Sequence, residues 1–156
     1  MVVKDSDQWY YKKIWSDFRR GSKHIKLSWD EGEAVALVYD EGVPETATAI
    51  LKSLPLSVPV VHVAWSGEMV MSAKPFDIHA TKEENRTRLL RPGDLTWDPK
   101  FGELCFVYGT AEARLPSGPN TLVVWAQVTE GLEELARFCR ARRFEGVGVI
   151  QMSGFD

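Results

Sequence analysis

Two periods of apolar and polar residues alternate along the chain. "HIKLSW" (24–29) and "AVALVYD" (34–40) repeat every second residue, the pattern of strands with one buried face, and "DEGE" between them reads as a turn. The period lengthens in "PETATAILKSLP", where Ala47, Ile50, Leu51 and Leu54 share one helical face. Pro44 suits a first helical turn and Pro55 ends the run, so the spacing predicts a helix over 44–54. "VHVAWSGEMVM" returns to period two and predicts one long strand. Val61, Val63, Trp65, Met69 and Met71 lie on one face of it, and His62, Ala64, Ser66 and Glu68 on the other. Gly67, in its middle, marks a bulge or bend.

The polar run 74–86 reads as a loop. A hairpin follows, "GDLTW" and "ELCFVYGT" flanking the turn residues of "DPKFG". "NTLVVWAQV" predicts a largely buried strand. Thr129 is placed to cap a second core helix with Leu132, Leu135, Ala136 and Cys139 on its apolar face. Arg137, Arg140, Arg142 and Arg143 gather at the end of that helix, where cations suit the macrodipole. "GVGVIQM" closes the pattern as a strand. At the start, "SDQWYYKKIWSDFRRG" (6–21) predicts a helix capped by Ser6 and ended by Gly21, with Tyr11, Ile14, Trp15 and Phe18 as an aromatic stripe. About seven or eight strands and two scattered core helices argue against a doubly wound parallel sheet and for a mainly antiparallel sheet or barrel capped by helices.

The chain has 156 residues, 44% of them hydrophobic and 26% charged, enough for one domain with a real core and no staples. Its net charge of −3 offers no basic face for nucleic acid. Cys105 and Cys139 sit in apolar patterns and read as small buried hydrophobes rather than a disulfide. No apolar run reaches the ~20 residues of a membrane span, and no signal peptide opens the chain, so a cytoplasmic location is expected. His24, His62 and His79 show no metal-ligand spacing with each other or with a cysteine, and no glycine-rich phosphate loop is present. No metal and no cofactor is expected.

The candidate chemistry centres on "HVAWSGEMV" (62–70). On a straight strand His62 and Glu68 stand about 20 Å apart at ~3.3 Å per residue, too far for a triad with Ser66. Glu68 beside a glycine bend is a candidate acid or base, and His62 a candidate polar contact. Trp65, Trp97 and Tyr108 fall on neighbouring strands, as core filling or as the walls of a small-molecule pocket. Arg88 and Arg91 are either solvated or contacts for an anion.

The motifs "VPETATAILKSLP", "VHVAWSGEMVM", "RPGDLTWDP", "CFVYGTAEARLPSGPN" and "AQVTEGLEELA", in that order, resemble a bacterial and archaeal family of cyclophilin-like proteins, most without an assigned function. The resemblance covers roughly residues 24–151. It implies a small closed antiparallel β-barrel with two capping helices over 24–156; the amphipathic helix at the start lies outside the resemblance and reads, from its own spacing, as an extension over 1–23. Cyclophilins isomerise X–Pro bonds with an arginine after a Phe-His pair, a glutamine and several aromatics. Here Val63 follows Val61-His62, and Glu68 is the polar residue nearest the glutamine's place, so the resemblance implies no classical prolyl isomerase activity. The expectation is a small-molecule-binding domain, with Trp65, Trp97 and Tyr108 as walls and His62 and Glu68 as polar contacts. Two alternatives stand beside it: an enzyme or enzyme subunit acting on amides or lactams, by analogy with allophanate- and oxoprolinase-type hydrolases, and a binder of proline peptides or weak prolyl isomerase. Whether any reaction is catalysed is left open. The expected partners are a small molecule and a second copy of the chain through the first helix, with neither nucleic acid nor membrane.

Overall fold

The computed structural model describes residues 18–155. Its strands are β1 (Lys23–Trp29), β2 (Gly32–Val38), β3 (Leu56–His62), β4 (Gly67–Ser72), β5 (Arg86–Thr87), β6 (Leu89–Leu90), β7 (Asp94–Asp98), β8 (Glu103–Glu112), β9 (Arg114–Leu115), β10 (Gly118–Pro119), β11 (Leu122–Glu130) and β12 (Gly148–Gly154). Helix α1 spans Pro44–Ser53 and α2 spans Leu132–Glu145. Eight strands run antiparallel in the order β2-β1-β12-β3-β4-β8-β7-β11, and β11 pairs with β2 to close them into a barrel. β5 and β6 add short edges to β11 and β8, and β9 pairs with β10 as a separate ribbon.

Residues paired across a ladder share a face. Ala126 pairs with Val38 and Leu95, Leu95 with Phe106, and Phe106 with Val70. On the other side Ile25 pairs with Ala36, Leu27 with Met152, and Ile150 with Val58. All of these side chains are buried, and together they fill the inside of the barrel. An eight-stranded barrel has an interior of about the width that side chains can fill.

Helix α1 begins at Pro44 without a side-chain cap of its own. The Glu84 carboxylate, from the loop, accepts the Glu45 and Thr46 amides at 2.9 and 2.8 Å. A carboxylate there satisfies two orphan donors and suits the positive helix end. Ala47 and Ile50 are fully buried, as the spacing predicts. Helix α2 packs across β2, β3, β4 and β8 through Leu135, Phe138 and Cys139.

Two expectations are corrected, and a third falls mostly outside the described residues. The stretch 61–71 is not one strand: β3 ends at His62, residues 63–66 turn, and β4 returns antiparallel from Gly67. Nothing in "VAWS" carries the glycine or proline punctuation of a common turn, and the left-handed Gly67 (φ 96°) sits at its end rather than its middle. Thr129 does not cap α2. It lies within β11, its hydroxyl donating to the Val35 carbonyl at 3.3 Å, and Gly131 (φ 82°) is the N-cap. Of the first helix, residues 6–17 lie outside those described, as does any association through it; residues 18–21 are bend and coil.

The segment just before β1 is fastened by a buried ion pair. The Arg19 guanidinium donates to both oxygens of Asp94, at 3.0 and 3.3 Å, and to the Tyr39 hydroxyl at 3.2 Å. Asp94 is fully buried and also accepts the Arg91 amide at 2.8 Å. Burial works against the Arg19 charge, but the hydrogen bond and charge of Asp94 outweigh it and raise the guanidinium's pKa. Removing one partner of a buried pair strands the other. Asp94→Ala is expected to cost about 3 kcal/mol and to lower Tm by about 10 °C in calorimetry. A loss below about 1 kcal/mol would show that the pair behaves as a surface one.

Candidate functional site

The β3–β4 hairpin separates two recesses. The first is a groove on the outside of the barrel. Met71 pairs with Cys105 and Asp98 with Glu103, so these four project from the outer face of adjacent strands. Val63, Trp65 and Met69 from the hairpin, Phe101 from the β7–β8 turn and Leu122 from β11 complete apolar walls around about 110 Å³. That space is of the order of an engineered cavity of ~150 Å³ that takes benzene. Arg114, Leu115 and Asn120 lie on the remaining side. Trp65 and Phe101 are 40% and 48% exposed, each at a turn.

The floor of the groove is acidic. Asp98 is buried and committed: its carboxylate accepts the Lys100 amide at 2.9 Å, the Asn120 side-chain amide at 3.1 Å and the Lys100 ammonium at 3.1 Å. The neighbouring Glu103 carboxylate has no hydrogen bond or ion pair among the described residues. Burial, and then the charge of Asp98, push its pKa up. Cys105, fully buried, has its thiol pushed up to about 12 by burial, so it stays protonated and is no nucleophile. The Arg114 guanidinium has no carboxylate partner among the described residues.

The second recess, of about 590 Å³, lies across the hairpin between its turn and the end of α2. His62 lines it, and behind that lining His62 meets Tyr108. His62 Nδ1 is 2.8 Å from the Val63 carbonyl, which can only accept, so Nδ1 carries the proton. Nε2 is then the acceptor, for the Tyr108 hydroxyl at 2.7 Å and for Arg143 Nε at 3.2 Å. Burial lowers the His62 pKa; the Val63 hydrogen bond and the Glu68 charge oppose this, and Arg143 adds to it. Burial raises that of the Tyr108 phenol.

The residues singled out from sequence therefore divide. His62 and Tyr108 come together, with Glu68 close enough for its charge to act on both. The Glu68 carboxylate accepts the Thr110 amide at 2.9 Å and fills the place of a side chain at Gly109, where a Cβ would collide with it. Trp65 stands on the other side of the hairpin, in the outer groove. Trp97 is buried, its indole N–H donating to the Ala80 carbonyl at 2.9 Å. Ser66 donates to the Arg114 carbonyl at 3.3 Å, so no triad forms even though the hairpin draws His62 and Glu68 together. Arg88 is paired with Glu112 at 2.6 Å. Sequence reasoning does not mark Glu103 as a site residue, and reads Arg140 and Arg143 only as cations at a helix end. The signal for Glu103 was available: a hairpin around "DPKFG" sets Asp98 and Glu103 opposite each other. Among the described residues no cluster of three or more His, Cys, Asp or Glu is placed to hold a metal ion, and no helix is long and apolar enough to cross a membrane.

Comparison with known proteins fits this architecture. Residues 25–154 match the model of DUF3830, described as a protein of unknown function. The chain belongs to the DUF3830 family. Among solved structures it is similar to McbB in complex with tryptophan, with TM-score 0.66 and 15% identity over 84% of this chain and 44% of that one. It thus spans under half the length of McbB. It is also similar to the solution structure of the hypothetical protein AF2241 from Archaeoglobus fulgidus, with TM-score 0.55 and 17% identity over 86% and 97% of the two chains. At these identities the likeness is one of fold, the cyclophilin-like barrel. No curated protein matches the chain.

The raised Glu103 pKa has a measurable sign. Unfolded, its carboxyl ionises near 4.5; folded, it holds its proton to higher pH. The folded state therefore binds more protons above pH 4.5, and stability falls as pH rises through that range. Glu103→Gln is expected to raise Tm at pH 7 and to leave it unchanged at pH 4, where both side chains are neutral. A thermal scan at the two pH values checks this; an equal shift at both would remove the charge argument.

Proposed function

We propose that this DUF3830 protein binds a small organic molecule in the outer groove. The observation that carries the reading is Glu103: an unpaired carboxylate at the floor of an apolar recess. Such a group is under-satisfied without a ligand and gains most from a donor brought by one. The walls formed by Trp65, Met69, Met71 and Phe101 suit a compact apolar or aromatic group. Glu103 suits an amine or amide N–H, and Arg114 suits an acidic group on the same molecule. The ligand class is an amine or amide with an apolar ring or branched tail, with or without a carboxylate.

His62 and Tyr108 lie outside this groove and Trp97 is in the core, so the proposed ligand site keeps Trp65 from the sequence reading and replaces the other contacts. The apolar Val63 wall supports the reading that proline isomerisation is not the activity.

A thermal-shift panel tests the proposal: tryptophan, aryl and branched amines, amides, lactams, simple carboxylates and proline peptides. A ligand at ~100 times its Kd adds about 2.7 kcal/mol, a shift of roughly 5–10 °C at this size. Amine- or amide-bearing apolar compounds are expected to give it, and Trp65→Ala and Glu103→Gln each to abolish it. A panel with no shift, or shifts that survive both substitutions, would overturn the proposal.

A further inference from the structure

The recess on the α2 side of the hairpin carries a different charge. Arg140 and Arg143 are three residues apart on α2 and so lie on one face. Arg143 Nε is held by His62 Nε2 at 3.2 Å, which leaves both terminal NH2 groups of its fork unused. The Arg140 guanidinium sits 5.8 Å from the centre of the Tyr108 ring, whose hydroxyl is bonded to the same His62. Neither arginine has a carboxylate partner among the described residues. The contrast is with Arg142 between them, which spends Nε on the Phe138 carbonyl, Nη1 on the Gly146 carbonyl and Nη2 on Glu145. The one acid whose charge acts on His62, Glu68, is itself bonded to the Thr110 amide.

We propose that this cleft binds a small oxyanion, a carboxylate or phosphate group, with Arg143 as its main contact; Arg140, beside Tyr108 and outside the cleft's lining, adds a second positive charge nearby. His62 is a positioning residue: neutral, with its proton on Nδ1, it fixes the Arg143 fork from behind. A guanidinium held at Nε still presents paired donors in the geometry that carboxylate and phosphate oxygens accept. The end of α2 contributes a partial negative charge, which works against an anion. Binding therefore rests on the arginine side chains, and their removal decides the question. The inference is independent of the outer groove, which lies across the hairpin and shares only the Val63 wall with this cleft.

The test titrates sodium phosphate and sodium acetate into the full chain, with sodium chloride at matched ionic strength as control. It follows the His62 ring and Arg143 Nε–H signals by NMR. Saturable shifts with phosphate, acetate or both are expected, and the anion that saturates names the class of group bound. Arg143→Gln is expected to weaken binding at least tenfold and Arg140→Gln severalfold, while Trp65→Ala leaves it unchanged. Arg143→Lys keeps the charge without the fork and is expected to recover only part of the affinity. Both arginines are exposed, so the variants fold. Shifts that chloride reproduces, or an affinity that Arg143→Gln does not change, would overturn the proposal.

Discussion

Pairing of β11 with β2 turns an eight-stranded antiparallel sheet into a closed barrel, and nearly every other feature is a consequence of that closure. Once no long edge is left, each strand has one face toward a space that only its own side chains can fill. Trp125, Phe106, Leu95, Leu104, Ile150 and Met152 are almost wholly buried. Ligands are then confined to the outside of the barrel and to its ends, where strands turn. Both recesses lie there, on opposite sides of the β3–β4 hairpin, and the side chains that distinguish them sit at turns or at the end of α2. A rigid wall with chemistry carried on its connections is the usual division of labour in such folds.

What the sequence made legible follows from the same geometry. Alternation with period two is a direct image of inside and outside, so β1 and β2 could be read residue by residue, as could the spacing of Ala47 and Ile50 in α1. The turn at 63–66 could not. Val63, Trp65, Met69 and Met71 all face the outer groove although the chain reverses between them, because the turn preserves which face each residue serves. A pattern that survives a reversal does not announce it. Read as one straight strand, the run sets His62 and Glu68 far apart, whereas they lie on adjacent strands.

The candidate site was only partly legible, for a related reason. A pocket on the outside of a barrel is made by residues whose parity matches but whose strands are distant in sequence, so Trp65 and Glu103 meet only once β4 and β8 are known to pair. Tyr108 was within reach because it continues the buried face of Phe106, and its partner His62 lies opposite Val70 on that same lining. Arg143 reads, by sequence, as a cation suited to a helix end. That role is real, yet it hides the second one, since nothing local shows that β3 brings an imidazole to its Nε.

The two recesses are opposite in sign, and the hairpin keeps them apart. On one side two carboxylates share a floor, one of them fully committed to Lys100 and Asn120 and the other with no counter-charge. On the other, the Arg143 guanidinium lies against His62, whose pKa burial lowers, and Arg140 lies over the Tyr108 ring. The acidic arrangement costs the empty fold something, because like charges close together favour solvent over burial. Such a cost is smallest where opposite charges are interleaved, as they are at Arg88 with Glu112 or Lys26 with Glu33. Only an outside molecule brings the missing charge to Glu103 or to Arg143, and the side chains nearest each of them leave room for one.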